Sequence, residues 1–145
     1  MKFKYKKFRI FPTKAFPKRK YLFRPIIPIV VNWQDKKIGY EVLLDSGADF
    51  SIFHAEIGEI LGIPIKKGKK EFFGGIVGEK SIAYVHKISI IIGGNLYSSI
   101  PIGFSYDISP HGYGILGQWG LFDLFRIIFD LKKEQIELRP KRGKT

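Results

Sequence analysis

The sequence contains no cysteine, which excludes disulfide bonds and thiolate metal sites. Long apolar runs are also missing: Ile26-Ile27 and Ile29-Val30-Val31, for example, are separated by Pro28. A membrane-spanning helix needs about 20 consecutive apolar residues, so the sequence predicts none. We also expect no signal peptide, and therefore a cytoplasmic protein.

Several motifs of metal-binding and catalytic proteins are absent as well. The three histidines, His54, His86 and His111, lie far apart and form no pair at metal-ligand spacing, so surface or helix-cap roles suit them better. The chain has no H-E-x-x-H and no G-x-S-x-G segment, which argues against zinc-dependent and serine hydrolases. We therefore expect no metal and no other cofactor.

Acidic residues are missing from both ends of the chain. The net charge is +12, but residues 1–24 hold ten Lys/Arg and residues 139–145 hold four, with no acid in either segment. The remaining body is close to neutral. This distribution predicts a basic N-terminal arm (1–24), one folded domain (25–140) and a basic tail (141–145). Any nucleic-acid contact is expected only through residues 1–24.

The arm allows two interpretations. Phe3, Tyr5 and Phe8 alternate with lysines, which is typical of a half-buried strand. Aromatic side chains among cations can also stack on bases. The arm is therefore either an extension that packs its aromatic side chains on the body or an RNA contact.

The body shows strands and turns without the alternation of strands and long helices that marks an α/β protein. With 145 residues, of which 45% are hydrophobic, one all-β domain is expected. The prolines of the first strand predict that it lies at a sheet edge or at a chain start. Strands are predicted at 24–31, 38–44, 50–53, 82–91, 96–104, 125–131 and 135–138, and short helices at 54–61 and 118–124.

Gly112, Gly114 and Gly117 satisfy a G-x-G-x-x-G pattern, which in nucleotide-binding folds joins a strand to a helix. No good strand precedes this segment, and too few residues follow it to complete such a fold. We interpret the pattern as coincidental.

The most informative stretch is the strand Val42-Leu43-Leu44, which leads directly into Asp45. An ionisable group at the end of a buried strand is costly unless it is paired or functional. Gly47 permits a sharp turn beside the carboxylate, and Ala48 keeps the space above it small. A surface turn of ordinary Asp, Ser and Gly residues is the alternative.

Leu44-Asp45-Ser46-Gly47-Ala48 resembles the Asp-Thr/Ser-Gly-Ala loop of the retropepsin-like aspartic proteases. Two further segments strengthen the resemblance: Gly74-Gly75-Ile76 lies in a glycine-rich hairpin where that family has its flap, and Ile115-Leu116-Gly117 resembles its second motif. The resemblance covers about residues 25–140. The chain departs from the family in its N-terminal arm, in Ser46 in place of the more frequent Thr, and in a flap that reads Ile76-Val77-Gly78.

The resemblance implies a closed β-barrel with a flap hairpin and one or two short helices, and it implies roles for individual residues. The expected catalytic residues are Asp45, Ser46 and Gly47. The expected substrate-binding residues are Ala48, Asp49, Gly74, Gly75 and Ile76. Leu44, Ile115, Leu116 and Gly117 are expected to support the site.

Only one Asp-Ser/Thr-Gly segment is present, whereas aspartic proteolysis requires two carboxylates that share one proton. We therefore predict a C2 homodimer that pairs Asp45 with its symmetry mate and acts as an aspartic endopeptidase on peptides or proteins. The alternatives are a dimeric binding module of the same fold without catalysis, and an RNA-associated protein that uses the arm.

Overall fold

The computed structural model describes residues 1–74 and 80–142. It is 56% strand and 7% helix, which confirms the all-β prediction. In the described residues the strands are β1 (Lys2–Lys4), β2 (Lys6–Arg9), β3 (Tyr21–Arg24), β4 (Ile26–Trp33), β5 (Lys36–Leu44), β6 (Ser51–His54), β7 (Lys69–Phe73), β8 (Ser81–Ile92), β9 (Asn95–Ser105), β10 (Gly114–Leu116), β11 (Phe125–Asp130) and β12 (Gln135–Pro140).

Six strands close into a mixed barrel. Their order is β4-β5-β10-β6-β9-β8, and β8 pairs with β4 to complete the ring. β10 runs parallel to β5, and β6 runs parallel to β9, while the other neighbours are antiparallel. β7 adds to the outer side of β8. Closure pairs β4 with β8 over residues 30–32 and 89–91, and it confirms the predicted closed β-barrel.

The barrel interior is filled by aliphatic side chains around two phenylalanines. Phe53 and Phe104 are fully buried, and their rings meet edge to face with centroids 6.0 Å apart. Burial alternates along parts of β4, β8 and β9, as expected where one face of each strand points inward. Other fully buried members of this core include Ile27, Val31, Val42, Ile90, Ile92, Ile102 and Leu116.

The proline-rich start of β4 fits its place in the barrel. Pro28 pairs with Glu41 of β5 and is exposed, whereas the second neighbour, β8, pairs only with Val30–Asn32. Proline is thus tolerated where β4 has a single hydrogen-bonded neighbour. The predicted edge position holds for this first half of the strand and is wrong for the second half, which lies inside the closed sheet.

One of the two predicted short helices is present. Helix α1 spans Ala55–Leu61 and begins at His54, whose Nδ1 accepts a hydrogen bond from the Glu56 N–H at 3.1 Å. Of the two roles expected for His54, surface or helix cap, the structure shows the cap. The helix ends at Gly62, which has the left-handed conformation that suits glycine. Residues 65–67 form one turn of 3₁₀ helix.

The helix predicted at 118–124 is wrong, because this segment forms a series of turns. Gly120 has a φ of 90°, which interrupts a right-handed helix. The N–H groups of Phe122 and Asp123 reach back five residues, to the carbonyls of Gly117 and Gln118.

The basic N-terminal residues are built into two small sheets. β1 pairs with β12, which also pairs with β11, and the N-terminal ammonium donates a hydrogen bond to the Leu138 carbonyl at 2.8 Å. β2 and β3 form a separate hairpin. The division of the chain into arm, domain and tail stays a prediction.

Helix α1 has only seven residues. Among the residues that the structure describes, no helical segment has the length and apolar character that crossing a bilayer requires.

Replacing the core residue, Phe104→Ala, should lower the free energy of unfolding by about 3–5 kcal/mol, because it removes a buried ring and leaves a cavity. Urea denaturation monitored by tryptophan fluorescence measures this loss. Phe129→Ala on β11 is the matched control, since Phe129 is 40% exposed and should matter far less. Equal losses in the two variants would contradict the assigned core.

Candidate active site

Asp45 follows directly after β5, where the barrel positions it through the backbone. Leu44 pairs with Leu116 of the parallel strand β10. One residue further on, the Asp45 N–H donates a hydrogen bond to the Leu116 carbonyl at 3.0 Å. The apolar side chains of Leu44 and Leu116 are buried, while Asp45 is half-buried. The carboxylate therefore lies at the boundary between the core and solvent.

The loop turns back on itself immediately after Asp45. The Gly47 N–H donates to Asp45 Oδ1 at 2.9 Å, and the Ala48 N–H donates to the Asp45 carbonyl at 3.2 Å. A Cβ atom at position 47 would lie 3.3 Å from Oδ1, tighter than ordinary contact. Gly47 therefore allows the backbone to approach and orient the carboxylate.

Strand β10 lies between the two strands that flank this loop. It pairs with β5 on one side and, through Ile115 and Ile52, with β6 on the other. At its end, a Cβ atom on Gly117 would lie 2.5 Å from the Phe50 carbonyl oxygen and 2.8 Å from the Ala48 carbonyl oxygen. Only glycine fits here, because both neighbours are backbone atoms.

Three further backbone and side-chain contacts hold the loop from the Gly117 side. The N–H groups of Gln118 and Trp119 donate to the carbonyls of Ala48 and Asp49 at 2.9 and 2.8 Å. The Gln118 side-chain amide donates to the Ser46 carbonyl at 2.7 Å. The loop is thereby fastened at Ser46, Ala48 and Asp49, which restricts the motion of the neighbouring carboxylate.

A buried hydroxyl completes the support. The Gly117 N–H donates to Ser51 Oγ at 3.0 Å, and Ser51 is fully buried. Reading the sequence missed both Ser51 and Gln118. A serine within the apolar segment Phe50–Phe53 was the available signal for Ser51, since a buried hydroxyl needs a partner. Gln118 carries no comparable signal, because its partner lies 72 residues away.

The loop faces an open groove of about 620 Å³. The opposite wall comes from the end of β7, where the Phe73 ring meets Phe50 edge to face with centroids 6.4 Å apart. One acidic and one basic side chain, Asp49 and Lys80, border a mainly aromatic and aliphatic surface. The groove is lined by Gly47, Ala48, Asp49, Phe50, Ile52, Phe72, Phe73, Gly74, Lys80 and Ile115.

Most of the predicted site residues thus lie together. Gly47, Ala48, Asp49, Gly74 and Ile115 line the groove. Asp45 and Ser46 belong to the same loop, and Leu44, Leu116 and Gly117 lie beneath it. β7 and β8 pair as far as Phe73 and Ser81, so they form the base of the predicted flap. Gly75 and Ile76, at its predicted tip, lie outside the described residues.

The Ser51→Ala change should lower the free energy of unfolding by about 1–3 kcal/mol, because it leaves the buried Gly117 N–H without an acceptor. Chemical denaturation provides the measurement. Ser98→Ala is the control, since Ser98 lies on β9 and is exposed. A loss no larger than that of the control would show that the Ser51 hydroxyl does not support the loop.

No protein-family model and no curated protein matches the chain. Among solved structures, the chain is similar to a retropepsin-like aspartic protease from Rickettsia conorii, at 20% identity and a TM-score of 0.58, over 95% of this chain and 92% of the other. It also aligns with EIAV protease complexed with the inhibitor HBY-793, at 26% identity and a TM-score of 0.44, over 66% of this chain and 82% of the other. The first likeness, together with the closed six-stranded barrel, identifies the fold of this chain as retropepsin-like.

Proposed function

We propose that the chain is a retropepsin-like aspartic endopeptidase that acts as a C2 homodimer and hydrolyses peptide bonds with a water molecule held by two Asp45 carboxylates. The observation that carries the proposal is the position of Asp45, at the end of a barrel strand on a tightly fastened loop that borders an open groove. Fixed placement of a reacting group is what catalysis requires.

The dimer follows from the count of carboxylates. Peptide hydrolysis by this chemistry uses one carboxylate as a base and a second as an acid, and the two share one proton. The chain has one Asp-Ser-Gly segment, so each copy of the chain provides one such carboxylate, that of Asp45. A second copy related by a two-fold axis supplies the same residue facing the first.

In the proposed reaction, one Asp45 carboxylate accepts a proton from water while the water oxygen attacks the scissile carbonyl carbon. The carboxylic acid of the other Asp45 gives its proton to the carbonyl oxygen. The resulting tetrahedral intermediate collapses as the C–N bond breaks: the amine nitrogen takes a proton from the carboxylic acid of the pair, and one hydroxyl of the intermediate gives its proton to the other carboxylate as the new carboxyl group forms. No covalent bond forms between enzyme and substrate, and the shared proton is restored.

The surrounding residues are assigned roles according to their positions in or beside the groove. The Ser46 hydroxyl hydrogen-bonds to the partner's loop and locks the two loops together. The substrate lies extended along the groove and bonds to backbone groups near Gly47 and Asp49, as an added strand does. The hairpin that begins with the end of β7, followed by Gly74, and returns at the start of β8 covers the peptide and excludes water. The substrate-binding roles of Gly75 and Ile76 stay predictions.

The cleavage activity of the Asp45→Asn variant should be lower by at least about 10²–10⁴-fold. The substitution replaces both carboxylates of the acid–base pair, one from each subunit, by amides. Hydrolysis of a diverse peptide library, read by mass spectrometry, measures the loss. Asp35→Asn, in the exposed turn between β4 and β5, is the matched control and should retain full activity. Undiminished cleavage by Asp45→Asn would refute the catalytic assignment.

Mixing active protein with an equal amount of the Asp45→Asn variant, and allowing subunits to exchange, should reduce activity to about half, because mixed dimers contain only one catalytic carboxylate. Sedimentation velocity at the assay concentration gives the size of the active species. An active monomer, or activity that is insensitive to the added variant, would contradict the two-subunit site.

A further inference from the structure

The hairpin of β2 and β3 presents two different faces. On one face, Lys6 forms an ion pair with Glu41 of β5 at 2.9 Å, and its ammonium group lies 5.1 Å from the centre of the Tyr113 ring. This face is turned toward the barrel. Because neighbouring residues of a strand point to opposite sides, the face that carries Lys7 and Arg9 is turned away from it.

The outward face pairs cations of β2 with aromatic residues of β3. Arg9 lies opposite Tyr21, and Lys7 lies opposite Phe23. The Lys7 ammonium group lies 4.1 Å from the centre of the Tyr21 ring and 5.7 Å from that of Phe23. Lys7, Arg9 and Tyr21 are exposed, so this surface combines positive charge and aromatic rings in contact with solvent.

The segment that connects β2 to β3 adds two more exposed aromatic side chains. Phe11 is 94% exposed and Phe16 is 64% exposed, and exposed apolar side chains that cluster can mark an interaction site. Together with Tyr21 and Phe23 they border a groove of about 410 Å³. Its remaining lining is aliphatic, polar or basic: Ile10, Thr13, Arg19, Leu22, Arg24 and Leu131.

The segment that supplies most of the groove lining carries charge of one sign. Residues 5–24 contain eight Lys/Arg and no Asp or Glu. Within the described part of the chain, Lys6 is the one member of this set that forms an ion pair with a carboxylate. The other seven, at positions 7, 9, 14, 18, 19, 20 and 24, are exposed. An occupant that complements them is a polyanion.

From this juxtaposition we infer that the hairpin groove binds a single-stranded nucleic acid, with bases stacked on the aromatic rings and phosphates beside the surrounding cations. Single-strand sites combine a positive groove with aromatic platforms in this way. An anionic bilayer is flat and is met by a protruding apolar tip, whereas several of these rings line a concavity. An acidic protein segment would satisfy the cations but leave the rings without planar partners.

This groove shares no lining residue with the groove beside Asp45. Nucleic-acid binding is therefore expected to be independent of the proposed catalysis, and the Asp45→Asn variant should bind with unchanged affinity. A negative result in the cleavage assay does not contradict nucleic-acid binding, and a negative result in the binding assay does not contradict cleavage.

The test is fluorescence anisotropy with a labelled oligouridylate and an oligothymidylate of equal length. The Phe11→Ala/Tyr21→Ala variant should bind at least about 10-fold more weakly, because each ring that is removed takes away a stacking platform for a base. Lys14→Gln/Lys18→Gln/Lys20→Gln should reduce the slope of log affinity against log salt by roughly 0.7 for each phosphate that the variant no longer neutralises.

Matched controls separate this site from general basicity. Tyr106→Ala removes an exposed aromatic side chain elsewhere, and Lys66→Gln/Lys67→Gln/Lys70→Gln removes three cations from the body; both should leave binding unchanged. Thermal melts establish that all variants are folded. The inference is overturned if neither oligonucleotide binds, if the aromatic variant binds as tightly as the original chain, or if anionic phospholipid vesicles bind the hairpin while oligonucleotides do not.

Discussion

The close approach of two backbones at Gly117 is the constraint on which the rest of the site depends. β10 has to lie between β5 and β6, and the chain that leaves it has to pass within van der Waals distance of the Phe50 and Ala48 carbonyls. A side chain at position 117 would force these segments apart. Since the same passage carries the hydrogen bonds from residues 116–119 to the Asp45 loop, backbone packing fixes the position of the carboxylate.

Closure of the barrel helps to hold the two backbones at Gly117 in place. The pairing of β8 with β4 completes the ring, so displacing β5 or β6 would disturb pairings all around it. One wall of the groove is the Asp45 loop, which several hydrogen bonds hold in place. The other wall belongs to β7, which pairs on one side only, with β8. This contrast is what the proposed function needs, in which Asp45 stays fixed while the hairpin admits a peptide.

Charge and apolar surface are divided between two regions. The barrel is nearly neutral and encloses its apolar residues, while the β2–β3 hairpin carries cations and exposed aromatic rings on its outward face. Lys6 connects the two regions through Glu41. Strand β2, whose sequence looks like that of an ordinary half-buried strand, therefore has two distinct faces. One face contacts the barrel, and the other is exposed to solvent.

The sequence by itself determined the all-β class, most strand positions and the loop that carries Asp45, because these depend on periodicity, on turn residues and on the preference of individual residues for local conformations. It did not reveal that residues 118–124 form turns, nor that Pro28 belongs to a strand with a second neighbour farther along. The contact of Gln118 with Ser46 and the cation–π contact of Lys7 with Tyr21 were equally beyond reach, and for Ser51 the sequence offered only a serine within an apolar segment. Only the tertiary structure decided these features, since, apart from the local turns around Gly120, each depends on which distant segment the folded chain brings alongside, and local sequence carries no record of that partner.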